Sequence, residues 1–344
     1  MSTPPDEQSM IKQLPATLGQ LLAVPESEIE VRAERDADAV LSALGRTFVV
    51  EVTRTGSAGP VAASAERARS VAARLSDAAI PLVVTSFMGA SGKDACDRAG
   101  VSWFDLSGNA RIVASAIRVI VDGQPNRFRT SGRPSSAFAP KSARVSRWLL
   151  THVGEAFTQR DIAKETDISE GLVSRVVSRL EEERYLKRDP DGRVRVESPR
   201  LLLDAWREEY RFDKHTIIKG HLAARSGDAL TRQVSELLVQ ADVEHAATGL
   251  AAAWQLTRFA GFRIATFYVG NGATASLEAL GFREEPRGAN LWLVRPNDVG
   301  VYQGAAEHDG VRCVHPVQVV LDLDGQPERA AEAAERVRTA ILSW

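Results

Sequence analysis

"FTQRDIAKETDISEGLVSRVVSRLEEERYLKRDPDGRVRVE", residues 157–197, holds two helix starts, a short turn and a tight hairpin in one continuous run. Thr158 stands three residues before Asp161, so its hydroxyl is placed to bond the backbone N–H there and open a helix. A turn through Asp167 and Ile168 leads to Ser169, a second cap, and then to the helix "EGLVSRVVSRLEEERY". In that helix Leu172, Val173, Val176, Val177 and Leu180 recur at three- and four-residue spacing and define a core face. "LKRDPDGRVRVE" then reads as two short strands around Asp189-Pro190-Asp191-Gly192, the composition of a tight turn. Working outward, "SARVSRWLLTHV" (142–153) supplies a preceding helix and "RLLLDAWREEYRF" (200–212) a following one. Helix, turn, helix and basic hairpin are the outline of a winged helix.

The face opposite the apolar stripe carries Glu170, Gly171, Ser174, Arg175, Ser178 and Arg179. Such a surface suits a DNA major groove, because Arg reaches guanine O6 and N7 while Ser bonds a phosphate or a base edge. Thr158, Gln159, Arg160 and Ser169, at the two helix starts, join this expected DNA-facing set. Lys187, Arg188, Arg193 and Arg195 on the wing are expected to reach the flanking backbone or minor groove. The acidic run 181–183 falls toward the far end of the helix. Upstream, residues 123–147 contain Arg127, Arg129, Arg133, Lys141, Arg144 and Arg147 and no Asp or Glu. That stretch reads as a basic linker, and its last two arginines, Arg144 and Arg147, as added DNA contacts; a solvated connector is the plainer reading of the rest.

A chain of 344 residues exceeds one ordinary core, so several domains are expected. Its 43 basic and 45 acidic residues leave a net charge of -2, which excludes a global polycation but not a local basic surface. Cys96 and Cys313 lie far apart without a second ligand at metal spacing, so neither a disulfide framework nor a zinc site is expected, and no cofactor. The polar, acidic N-terminus and the lack of a long apolar run read as a cytoplasmic protein with no membrane partner.

The N-terminal third reads as a helix interrupted by Pro15 (9–23), three short strands within 28–52, a helix (61–78), a strand (80–87), a helix closed by Gly100 and a strand at 101–107. This order is similar to that of the restriction-endonuclease-like, or PD-(D/E)xK, fold over roughly residues 20–120. What that resemblance implies is a divalent metal held by an Asp on one strand and a Glu on the next, with a Lys two residues on. Asp36 or Asp38 and then Glu51 match the carboxylates, but Thr53 occupies the lysine's place and Arg54 points to the other face. A hydroxyl cannot supply the ammonium's charge, so the domain is expected to be an inactive relative. Lys93, in "GASGK" after the next strand, is a candidate relocated lysine, though a solvated loop is its simpler reading.

Beyond residue 213 the pattern gives helices at 228–241 and 249–257, a strand "IATFYVG", a hairpin containing "NLWLVRP", a strand "HPVQVVLDL" and a final helix at 327–342. "TGLAAAWQLTRFAGFRIATFYV" (248–269), "VHPVQVVLDL" (314–323) and "ERAAEAAERVR" (328–338) resemble the C-terminal domain of the AbiEi-like antitoxin and transcriptional-regulator family of type IV toxin-antitoxin systems. The resemblance, covering about 141–344, implies an autorepressor that recognises promoter repeats and a domain acting against a nucleotidyltransferase toxin. Antitoxins of that type begin with the winged helix, whereas here an α/β domain precedes it.

The expected fold is therefore mixed α/β and multidomain: an endonuclease-like domain (1–121), a basic linker (122–140), a winged helix-turn-helix (141–212) and a C-terminal α/β domain (213–344). The expected function is a sequence-specific DNA-binding transcriptional regulator, acting on double-stranded DNA as a homodimer, with a toxin partner or small effector left open. The alternatives are a metal-dependent nuclease using Asp36, Asp38, Glu51 and Lys93, and an antitoxin working through protein partnership.

Overall fold

The computed structural model describes residues 4–76, 78–128 and 136–344. Its contacts divide the chain into two units, one made of residues 1–135 with 182–185, the other of residues 136–181 and 186–344.

The first unit begins with α1 (Glu7–Leu22), capped by the Asp6 carboxylate, which accepts from Ser9 N at 2.8 Å. The helix runs through Pro15 without a break and buries Met10, Leu14 and Leu18. Strands β1 (Glu30–Glu34), β2 (Ala37–Ala43) and β3 (Arg46–Thr53) form an antiparallel meander. Helix α2 (Ala58–Leu75) returns the chain to β4 (Ile80–Thr85), and α3 (Ala90–Ala99) returns it to β5 (Ser102–Asp105), both strands parallel to β3. Gly100 ends α3 in the left-handed conformation, φ +65°, which glycine adopts without a Cβ penalty. Two further strands, β6 (Ala110–Ala114) and β7 (Ile117–Val121), complete a sheet that runs in sequence order from β1 to β7. Alternation along the central strands divides the core. Phe48, Val50, Leu82, Val84 and Phe104 pack with the α1 face, while Val83 and Trp103 pack with Val61, Ala65, Ala95 and Cys96.

The second unit opens with α4 (Ala143–Thr151), α5 (Gln159–Thr166) and α6 (Glu170–Glu182), then β8 (Leu186–Arg188) paired antiparallel with β9 (Val194–Val196). Helix α7 (Pro199–Glu209) leads into β10 (Thr216–His221), α8 (Gly227–Gln240), β11 (His245–Thr248), α9 (Gly249–Thr257) and β12 (Ala265–Val269). After α10 (Ala273–Glu278) come β13 (Arg283–Glu284), β14 (Leu291–Arg295), β15 (Ala306–His308), β16 (Val311–Cys313), α11 (Pro316–Leu323) and α12 (Ala330–Val337). The sheet order is β13-β10-β14-β12-β11-β16-β15, with β12/β14 and β11/β16 parallel and the other pairs antiparallel.

"HPVQVVLDL" is a helix, not the strand its valines indicate. Pro316 occupies the first helical turn, where a missing N–H costs nothing, and His315 Nδ1 accepts from Val317 N at 3.2 Å. Every residue from Val317 to Leu323 is buried, because α11 is enclosed by α4, α7, α9, α12 and β11, and a helix enclosed on all sides need not alternate polar with apolar. "NLWLVRP" also departs from a hairpin: β14 lies between β10 and β12.

A buried polar network runs through this unit. Asp322 on α11 accepts from Tyr210 Oη at 2.5 Å, Tyr268 Oη at 2.9 Å, Gln318 Nε2 at 2.7 Å and Thr248 Oγ1 at 2.5 Å. His215 Nδ1 accepts from Asn297 N at 3.1 Å, which leaves the proton of the neutral ring on Nε2, 2.9 Å from the Tyr210 hydroxyl. Burial raises the Asp322 carboxyl to about 6, with its hydrogen bonds opposing, and lowers His215 and His315 to about 4, with the Arg147 charge adding to both. Neutral histidine stabilises the fold above pH ~6.5, and that contribution is lost as pH falls toward 4; Asp322 works the opposite way, its contribution fading as pH rises through 6. Two histidines outweigh one carboxyl. Urea unfolding midpoints should fall between pH 6.5 and 4.5, and fall more steeply in Asp322→Asn; a midpoint that rises on acidification contradicts the assignment.

Candidate nucleic-acid interface

Thr158 caps α5 in a reciprocal box: its hydroxyl accepts from Asp161 N at 3.2 Å while Asp161 Oδ2 accepts from Thr158 N at 3.1 Å. Asp167 then turns the chain at φ +53°, and α6 starts at Glu170. Val173, Val176, Val177 and Leu180 are buried and Leu172 half-buried, so the apolar stripe faces inward as its spacing requires. The wing closes through Asp189 N to Arg193 O (2.8 Å) and Gly192 N to Asp189 O (2.9 Å), with Gly192 at φ +87°. Phe157 exchanges both backbone hydrogen bonds with Val194, at 2.9 and 2.8 Å, and so fastens the segment before α5 to the wing. The sequence pattern gave no sign of that bridge.

On the outer face of α6, Glu170, Arg175 and Ser178 are exposed and Ser174 and Arg179 half-buried, while Ser169 is exposed at the helix start. Arg175 and Lys187 have no ion-pair partner among the described residues. Arg160 lies 3.6 Å from Glu170, and Gln159 is half-buried in the first turn of α5. Each wing arginine sits beside a carboxylate: Arg188 with Glu181 at 2.7 Å, Arg193 with Asp191 at 3.4 Å and Arg195 with Asp189 at 2.9 Å. All are partly exposed, so these pairs are weak and a phosphate competes with them.

Two residues expected to touch DNA do other work. Arg144 forms a two-pronged pair with Asp298, Nε to Oδ1 at 2.7 Å and Nη2 to Oδ2 at 2.9 Å, and donates to Thr166 O at 3.3 Å. Arg147 is only 3 % exposed; its Nε and Nη2 donate to Gln318 Oε1 at 3.1 and 2.6 Å, and its guanidinium lies 5.0 Å from the Trp206 ring centre. Both arginines therefore join α4 to the C-terminal elements. Of the linker cations, Arg129 and Arg133 lie outside the described residues, while Phe138, near the linker's end, stacks on Trp206 at 5.9 Å.

Of the alternative metal constellation, Asp38 lies near enough to Glu51 for its charge to act on that carboxyl, whereas Asp36 and Lys93 are paired elsewhere. Asp36 pairs with Arg74 at 3.0 Å, and Asp38 Oδ2 accepts from Val52 N at 2.7 Å. Glu51, 3 % exposed, pairs with Arg67 at 2.6 Å, and Lys93 lies on α3, not in a loop, with its ammonium 2.6 Å from Asp122. Burial raises the Glu51 carboxyl above its ordinary range against the pull of Arg67. Among the described residues no group of three His, Cys, Asp or Glu side chains is placed to hold a metal ion. Cys96 and Cys313 are buried free thiols, each pushed up to about 12 by burial, and no described helix is long and apolar enough to cross a membrane.

A family model described as "MarR family" matches residues 147–195, from within α4 into β9. No curated protein and no solved structure matches the chain.

Proposed function

We infer that the chain is a sequence-specific DNA-binding transcriptional regulator whose winged helix reads a short site through the N-terminal half of α6. The observation that carries this reading is Arg175, exposed and without an ion-pair partner among the described residues, beside Ser174 and Ser178 on the winged helix that the family match covers from 147 to 195. Arg175 bonds a guanine edge; Ser174, Ser178 and Ser169 bond phosphates or base edges; Thr158, Gln159 and Arg160 contact the backbone at the start of α5. Lys187, Arg193 and Arg195 on the wing take flanking phosphates. A single winged helix covers a short half-site, so the chain acts as a homodimer on paired half-sites. Repression of its own promoter is the outcome the antitoxin-regulator resemblance favours.

The first unit supports kinship with the restriction-endonuclease-like fold through its helix, three-strand meander, helix and parallel strand. Its carboxylates are engaged by arginines and backbone, which favours a structural or assembly role over catalysis.

Salt dependence tests the wing. Lys187→Ala should weaken binding to all duplexes and lower the slope of log affinity against log salt by about 1. Arg193→Ala should do less, since Asp191 already shares that charge. Unchanged slopes in both variants would remove the wing from the interface.

A further inference from the structure

A cavity of about 610 Å³ opens in the second unit, well away in sequence from α6, between β10, the start of α8, the turn before β12 and the segment leading into β14. Its volume is that of small-molecule sites. Four basic side chains line it, Lys219, His221, Arg225 and Arg263, with Phe262 and Trp292, and no carboxylate does. Lys219, His221 and Arg225 have no ion-pair partner among the described residues, whereas Arg263 is paired with Glu328 at 3.2 Å.

The walls are built rather than incidental. Lys219 and Trp292 face each other across the β10/β14 ladder, the ammonium 4.2 Å from the ring centre, and the Trp292 ring is half-exposed. Asn290 fixes the rim by accepting from Leu222 N at 3.0 Å and donating to Leu222 O at 2.8 Å. Gly227 lets Phe262 close against α8, since a Cβ there would lie 2.3 Å from the Phe262 carbonyl oxygen. Lys219 and Arg225, with the His221 imidazole as a further hydrogen-bonding group, beside an aromatic face suit a ligand that carries both negative charge and a ring.

We propose that this cavity binds an aromatic phosphate monoester of about mononucleotide size, its ring on Trp292 and its dianionic phosphate among Lys219, His221 and Arg225. The shared chemistry fits a nucleotide or another aryl phosphate, and the probes separate them. Full-length protein is titrated by calorimetry with adenosine 5′-monophosphate, 1-naphthyl phosphate, adenosine and inorganic phosphate. Saturable binding of one or both aryl phosphates, at least tenfold tighter than adenosine or phosphate alone, is expected; both binding equally points to an aryl-phosphate site, adenosine 5′-monophosphate alone to a nucleotide site. Arg225→Ala and Trp292→Leu should each weaken that binding roughly tenfold, the loss of one charge-assisted contact or one stacking face, with unfolding midpoints kept. No binding by either aryl phosphate, or binding that both variants leave unchanged, overturns the proposal. So does a loss of duplex-DNA affinity in the two variants without any change toward aryl phosphates, which would make the cavity a nucleic-acid surface.

Discussion

Arg147→Ala is expected to destabilise the second unit by about 3–5 kcal/mol, the cost of removing one member of a buried charged network. The side chain is a cation enclosed between Trp206 and Gln318, and Gln318 passes its other end to Asp322. Truncation strands the Gln318 carbonyl oxygen, removes a cation whose charge acts on Asp322 and opens a cavity under Trp206. Denaturant unfolding followed by tryptophan fluorescence reads the loss. A midpoint within error of wild type, together with a lower salt slope in DNA binding, would instead return Arg147 to the DNA interface.

Arg175→Ala is expected to cost about 1–3 kcal/mol of discrimination at one base pair, roughly 10- to 100-fold in affinity for the preferred duplex, with little change for random DNA. The exposed position and missing ion pair mean that stability should hold. Arg175→Lys should recover affinity but only part of the preference, because an ammonium lacks the two-pronged geometry that grips O6 and N7. Equal losses on preferred and random duplexes would make Arg175 a phosphate contact.

The difference between these two arginines marks where the sequence was readable. Local signals were enough for α5, α6 and the wing: Thr158 with Asp161, the apolar spacing of α6, and Gly192 in the turn each act within a few residues. The order of the first unit up to β5 was legible for the same reason; β6 and β7 were missed although their β-branched runs, ARIVA and IRVIV, carry a local strand signal. Arg144 and Arg147 were misread because their partners, Asp298 and Gln318, lie 154 and 171 residues away, and a basic run looks the same whether it faces phosphate or a buried acceptor. The α11 segment failed for a related reason: valine favours strands only until tertiary enclosure decides, and here Pro316 and His315 start a helix that other helices surround. The basic cavity gathers Lys219 and Arg225, Arg263, and Trp292 from three separate stretches of chain, so no single window of sequence displays it.

A winged helix that reads sequence must separate one duplex from another of equal length and charge. The most direct measurement titrates purified full-length protein into labelled duplex from upstream of its own gene and into a scrambled duplex of equal length, with magnesium present, on native and denaturing gels in parallel. An intact, retarded band that unlabelled upstream duplex displaces and scrambled duplex does not is the expected result. Equal affinity for both duplexes, or a cut strand on the denaturing gel, would contradict it.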